Sequence, residues 1–339
     1  MQKVIGGEFD LDITNMGKLL SSKNSSLFSS GRAALYHILK KASKGNQYKT
    51  ILLPDYLCES IIQSAQKTNI AINFYKINED LTINFNYLES KLSDDSIVLL
   101  VNYFGCIDIG KQITAVRAIN NNACIIADNV QAFFSMQDSK DADYSFTSFR
   151  KIFAIPDGAL VYSNHGELDI VSDENTFVGH KIAGGVLKHF AECNSIDDSL
   201  YLKYLNIGEK AIDQNYNSVA SEFSQILYEK LDLCSIAIRR KNNFSFLNSE
   251  LLKLGITPIL MNYHHQVPLF LPIRLKNRDS VRRQMFAQNI YCPVHWPCPE
   301  GFALARAEEL SKNELSLIVD QRYDENDMKR IIDIIKKNQ

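Results

Sequence analysis

Short apolar runs alternate with amphipathic stretches through the first half of the chain. The runs predict strands over 51–54, 72–75, 97–101, 124–127, 144–147 and 159–163, with helices over 58–68, 86–92 and 112–121 between them. An earlier helix opens at Ser29-Ser30-Gly31, where Ala34, Leu35, Ile38 and Leu39 share one face. Repeated βα units of this length imply an α/β domain with a mainly parallel sheet and helices on both of its faces. The pattern weakens after residue 165. Residues 165–179 read as polar and irregular, and a helical region resumes at 182. An amphipathic helix follows, with Phe223, Ile226, Leu227 and Leu231 on one side, and then a helix over 235–254. The rest reads as α+β, with a strand over 267–275 and helices over 280–288 and 326–336, the last capped by Asp324. A boundary near 235 separates a polar arm (1–28) and a large domain, together 1–234, from a small C-terminal domain, 235–339.

Two positions stand out chemically. Asp128 ends the apolar run Cys124-Ile125-Ile126-Ala127, as an acid would at the carboxyl end of a buried parallel strand, where open α/β sheets place ligands. Lys151 follows the aromatic and hydroxyl segment Tyr144-Ser145-Phe146-Thr147-Ser148-Phe149-Arg150, a setting expected to desolvate its amine. One acid and one lysine so presented suit pyridoxal phosphate (PLP). The lysine would hold the aldehyde covalently, and the acid would keep the pyridine nitrogen protonated. Ser30-Gly31 at a helix start could hold the phosphate, because free N–H groups point outwards there and glycine allows close approach; simple capping by Ser30 is the alternative. Ser148 and Arg150 offer a hydroxyl and a cation to the same group.

These residues carry a resemblance. Ser30-Gly31-Arg32-Ala33-Ala34-Leu35, Asp128-x-x-Gln131, Lys151 with Asp157-Gly158-Ala159, and Asn217-x-x-x-Ser221-Glu222-Phe223 occur in an order that resembles the DegT/StrS family of PLP-dependent sugar aminotransferases. Arg32 stands where that family usually has threonine. The resemblance implies fold-type I, with a large, mainly parallel seven-stranded sheet. It implies an amino-acid donor, glutamate above all, and a nucleotide-linked keto sugar as acceptor. Gln131 would hydrogen-bond the cofactor's hydroxyl, and Asn217 would reach the phosphate of a neighbouring subunit, so that a homodimer shares its sites. An aromatic lid over the ring is expected from Tyr56 or from Tyr103-Phe104; the family's usual lid position falls near Cys58. The alternatives are a lyase, desulfurase or dehydratase on the same fold, or a non-catalytic PLP-binding protein; lysine at 151 argues against the dehydratase branch, which uses histidine. By analogy with the broader superfamily, Arg322 would recognise the donor carboxylate, with an Asp320–Arg322 surface pair as the alternative.

Composition changes little. The 339 residues carry a formal net charge of −2, which leaves no electrostatic footprint for nucleic acid. Without an apolar leader or a run long enough to span a bilayer, a cytoplasmic chain is expected. The seven cysteines are odd in number and scattered, as in reduced proteins. Gly105-Cys-Ile-Asp-Ile-Gly110-Lys111 approaches a P-loop, but Gln112 replaces the hydroxyl residue that binds Mg²⁺, so it reads as a turn opening a helix. Cys292, His295 and Cys298 are metal-ligand types, yet prolines interrupt them and a fourth ligand would have to come from His264 or His265. No metal is expected. His295 and Trp296 are expected to line the substrate mouth or to pack against the small domain. The basic cluster Arg239-Arg240-Lys241 reads as a solvated helix face.

Overall fold

A computed structural model describes residues 5–6, 25–169, 173–194, 197–260 and 266–338. Most of the expected N-terminal arm, and His264 and His265, lie outside the described residues. The first half runs β1 (Ile5–Gly6), β2 (Ser25–Phe28), α1 (Gly31–Ala42), β3 (Thr50–Pro54), α2 (Glu59–Gln66), β4 (Ala71–Tyr75), α3 (Phe85–Glu89) and β5 (Ser96–Val101). It continues with α4 (Ile109–Ile119), β6 (Cys124–Asp128), β7 (Tyr144–Phe146) and β8 (Ala159–Ser163).

Seven of these strands form one sheet in the order β2-β8-β7-β6-β5-β3-β4. β7, β6, β5, β3 and β4 pair in parallel; β8 runs against β7, and β2 runs against β8. Every residue of β5 and β6 is buried, which explains their continuous apolar sequences: helices cover both faces of a parallel strand. The edge strand β4 keeps Ala71 and Asn73 exposed. β2 corrects the sequence reading, which leaves 25–28 in the arm. At four residues it is too short for its alternating burial to register as a period.

α5 (Val178–Asn194) starts four residues earlier than the expected 182 and pairs with α6 (Ser199–Ile212). Their crossing is close, since a Cβ on Gly184 would stand 2.7 Å from the Leu205 side chain. This crossing sets Glu209 of α6 beside Lys181 of α5, with their side chains 2.7 Å apart. α7 (Glu222–Glu229) is shorter than the amphipathic stripe suggests. Leu231 lies beyond it and Ile226 is exposed.

The C-terminal part comprises α8 (Leu233–Lys253), β9 (Phe270–Arg274), α9 (Arg278–Ala287), β10 (Ile290–Tyr291), α10 (Ala305–Asn313), β11 (Glu314–Ile318) and α11 (Glu325–Lys337). β9 and β11 pair antiparallel, and β10 pairs in parallel with β1. The sequence reading assigns neither α10 nor β11; β11 is short and wholly buried, so it shows no alternation. α11 starts as expected at Asp324, in a capping box with Asp327. No described helix is long and apolar enough to cross a membrane.

Candidate active site

The sheet register aligns Val101, Asp128 and Phe146 as direct neighbours at the carboxyl ends of β5, β6 and β7. All three line a cavity of about 540 Å³, within the usual range of small-molecule sites. The loops leaving other strands reach the same space. Ser30 and Gly31 follow β2, Cys58 follows β3, and Ser148 and Lys151 follow β7. From the C-terminal part come Arg240, Phe270, His295, Trp296, Asp320 and Arg322.

Asp128 is buried, and Val130 N–H donates to its Oδ1 at 2.9 Å. Among the described residues its Oδ2 has no partner. Burial pushes the carboxyl up to about 7. Ser30 caps α1, its hydroxyl accepting from Ala33 N–H at 3.2 Å, so the capping alternative is realised at a residue that also lines the cavity. A Cβ on Gly31 would stand 3.2 Å from Val130 Cγ2, which explains glycine there. Arg32 pairs with Asp213. Gln131 accepts from Phe104 N–H at 2.9 Å through Oε1, so its NH₂ group is what it can offer a ligand.

Lys151 ends a single 3₁₀ turn, Phe149–Lys151, and is exposed at the cavity. This corrects the expectation of a desolvated amine: the apolar neighbours Phe149, Ile152 and Phe153 pack away from it into a separate core cluster. Arg150 pairs with Glu209 through two hydrogen bonds, at 2.9 and 3.0 Å. It is therefore tied to a carboxylate rather than offered to an anion. Burial alone would raise the Glu209 carboxyl; Arg150 and Lys181, with Lys151, hold it well below the usual range instead.

The lid candidates need correction. Tyr56, Tyr103 and Phe104 are fully buried and do not line the cavity. They back its wall instead. The Tyr56 and Tyr103 rings stack at 5.7 Å, the Tyr56 hydroxyl donates to His295 O at 2.5 Å, and Phe104 stacks on Trp296 at 6.4 Å. Phe104 itself sits at φ +56°, held there by Gln131. Cys58, near which the sequence reading puts the usual lid position, lines the cavity.

Arg322 is held flat by Asp320, with Nε–Oδ1 at 3.0 Å and Nη2–Oδ2 at 2.8 Å, and both residues line the cavity. Arg239 and Lys241 are exposed, as the solvated-face reading of the basic cluster expects, but Arg240 departs from it. It is 1% exposed, lines the cavity, and donates to the carbonyls of Pro268, Leu269 and Ile152. A signal was present: Arg240 falls in one helical stripe with Ile236, Phe244, Leu247 and Leu251, all buried. Asn217 is half-buried and does not line the cavity of its own chain. Gly110 and Lys111 lie in the first turn of α4, capped by Asp108. Among the described residues no group of three or more His, Cys, Asp or Glu could hold a metal.

No protein-family model matches the chain, and no curated protein matches it. Solved structures do. Spr1654 of Streptococcus pneumoniae, assigned as a sugar aminotransferase and solved in its PMP-form, is 15% identical with a TM-score of 0.69, over 98% of this chain and 97% of that one. The sugar aminotransferase CalS13 of Micromonospora echinospora is 12% identical at 0.67, over 93% and 88%. A DegT/DnrJ/EryC1/StrS aminotransferase of Brucella abortus is 16% identical at 0.64, over 93% and 85%. The chain has the fold-type I aminotransferase fold. In this fold the reversed strand β8 and the turn before it position Lys151: Gly158 N–H donates to Ser29 O and Phe149 N–H to Gly158 O. Gly158 has φ +113°, and a Cβ there would strike the Phe149 ring at 2.5 Å.

Proposed function

We propose that this protein is a PLP-dependent aminotransferase that moves an amino group from an amino acid, glutamate, to a nucleotide-linked keto sugar. The observation that carries the reading is Asp128: a buried strand-end carboxylate with a single described hydrogen bond, lining the same cavity as Lys151. The residues present fit the cofactor. Asp128 Oδ2 would take the pyridine N–H, Ser30, Gly31 and Ser148 the phosphate, Gln131 the ring hydroxyl, and Lys151 the aldehyde. Bound there, PLP would supply an electron sink for loss of the donor's α-proton.

The chain's own residues would do the rest. Asp128, ionised by the positive ring nitrogen, would hold the proton on that nitrogen. Lys151 Nζ would take the α-proton and return it one carbon away, a role suited to an exposed amine in a cavity. Trp296 and Phe270 would shield the reacting atoms from water. Arg322, flattened by Asp320, would face the donor carboxylate. Asn217, outside its own cavity, would complete the phosphate site of the partner in a homodimer.

Borohydride reduction of the protein loaded with PLP, followed by peptide mapping, tests the assignment. Cofactor fixed on Lys151 is the expected result; label on another lysine, or none, overturns it. Screening amino acids for conversion of bound PLP to its amine form, and then keto sugars for the reverse, tests the substrates.

A further inference from the structure

Glu314 is a fully buried carboxylate that the proposed reaction leaves unused. It sits on β11, two residues from Ser316, and both act on His295. The backbone N–H of His295 donates to Glu314 Oε2 at 2.8 Å, and the Ser316 hydroxyl donates to Glu314 Oε1 at 2.5 Å. His295 Nδ1 lies 2.9 Å from Ser316 Oγ. A serine hydroxyl has one proton, and here it is given to Glu314. The contact with His295 therefore requires Nδ1 to carry a proton and donate. A neutral ring protonated at Nδ1 has its lone pair at Nε2. His295 lines the cavity, and its ring is confined by Phe104, Phe270 and Trp296 at 5.2–5.4 Å. Nε2 is the ring nitrogen left for a ligand. Lys151 lines the same cavity.

We propose that Glu314 and Ser316 are positioning residues that hold His295 as its Nδ1–H tautomer, so that the Nε2 lone pair receives an N–H hydrogen from an amine in the cavity. The amine comes from Lys151 or from a bound amino donor. An ammonium only donates, so a ring nitrogen fixed as an acceptor is complementary to it, while the other tautomer would oppose it with a second donor. Burial, with the nearby Lys151 charge, holds His295 down to about 3 and keeps the ring neutral, as the arrangement requires. Burial pushes Glu314 up to about 7, among neighbours that include Arg278 and Arg282 of α9, Tyr56 and Cys292, so the ionised chain is complete only above that pH.

The inference rests on the proposed aminotransferase only for the source of the amine. Its test needs no turnover. Nitrogen-15 spectra of histidine-labelled, cofactor-free protein, recorded well above neutral pH, read the tautomer directly. A His295→Asn variant identifies the signal among the seven histidines. Wild-type protein is expected to be protonated at Nδ1 and bare at Nε2. In Glu314→Gln the amide oxygen must still accept from His295 N–H, so its NH₂ faces Ser316. Ser316 then donates to Nδ1, and the proton moves to Nε2. Ser316→Ala, which spares the buried acid, should lose the fixed tautomer. A wild-type ring protonated at Nε2, or variants that leave the tautomer unchanged, overturns the proposal.

Two further arms identify the amine. A shift of the Nε2 resonance on Lys151→Ala assigns it to Lys151, whereas a shift on adding L-glutamate to that variant assigns it to the donor. No shift in either arm overturns the receiving role. The aminotransferase reading fails separately, in the borohydride experiment.

Discussion

Asp157 accepts from both the backbone N–H and the hydroxyl of Ser221, at 2.8 and 2.6 Å, and so ties the turn that follows Lys151 to the start of α7. Ser224 and Asn175 donate to the same carboxylate. Burial raises the Asp157 carboxyl despite these four donors. Asp157→Ala strands buried donors on two elements at once. The expected loss of stability is roughly 3 kcal/mol, read from urea unfolding; a loss under about 1 kcal/mol would make the pairing incidental. Asp157→Asn, which retains one acceptor, should fall between.

Asp128→Asn is expected to stabilise the cofactor-free protein at alkaline pH while abolishing turnover. The folded pKa of about 7 lies above the ordinary aspartate value. A group raised in this way is most favourable below its unfolded pKa, and its contribution is lost as pH climbs from about 4 through about 7. The amide has no such dependence. The stability difference between variant and wild type, followed as the gap between their Tm values, should therefore grow over that window, towards at most about 4 kcal/mol. A difference independent of pH would contradict the buried, poorly satisfied carboxylate.

Arg322→Lys should raise KM for the amino donor and leave KM for the keto acceptor nearly unchanged. Lysine cannot reproduce the paired donors by which Asp320 holds the guanidinium in place at the cavity. The cost is on the order of 1.5–3 kcal/mol in donor binding. Equal effects on both substrates would reduce the pair to a structural one.

Mixing inactive Lys151→Ala and Asn217→Ala chains should restore part of the activity if Asn217 serves the partner's phosphate site, because one site of each mixed dimer is then intact. Full inactivity, with subunit exchange verified by mass, would return Asn217 to its own chain.

Much of the fold was legible because burial on both faces forces β5 and β6 to be apolar but for Ser96 and Asp128 at their ends, and because turns and caps punctuate them. Ser30, Asp108 and Asp324 each cap the helix they precede. β2, β11 and α10 were not, since such short segments draw their stability from neighbours distant in sequence rather than from a period of their own.

The candidate site divides along the same line. Sequence alone determined that Asp128 ends β6 and that Lys151 follows β7, because a strand's apolar run stops where its backbone leaves the sheet. Tertiary structure alone decided how the charges pair and which side chains meet. Glu209 engages Arg150, Asp320 flattens Arg322, Arg240 turns inward, and Glu314 reaches His295 through Ser316. The Tyr56–Tyr103 stack likewise became a wall rather than a lid. The worth of a charge or a hydrogen bond depends on distance and on exclusion of water. Both are set by elements that meet only once the chain has folded.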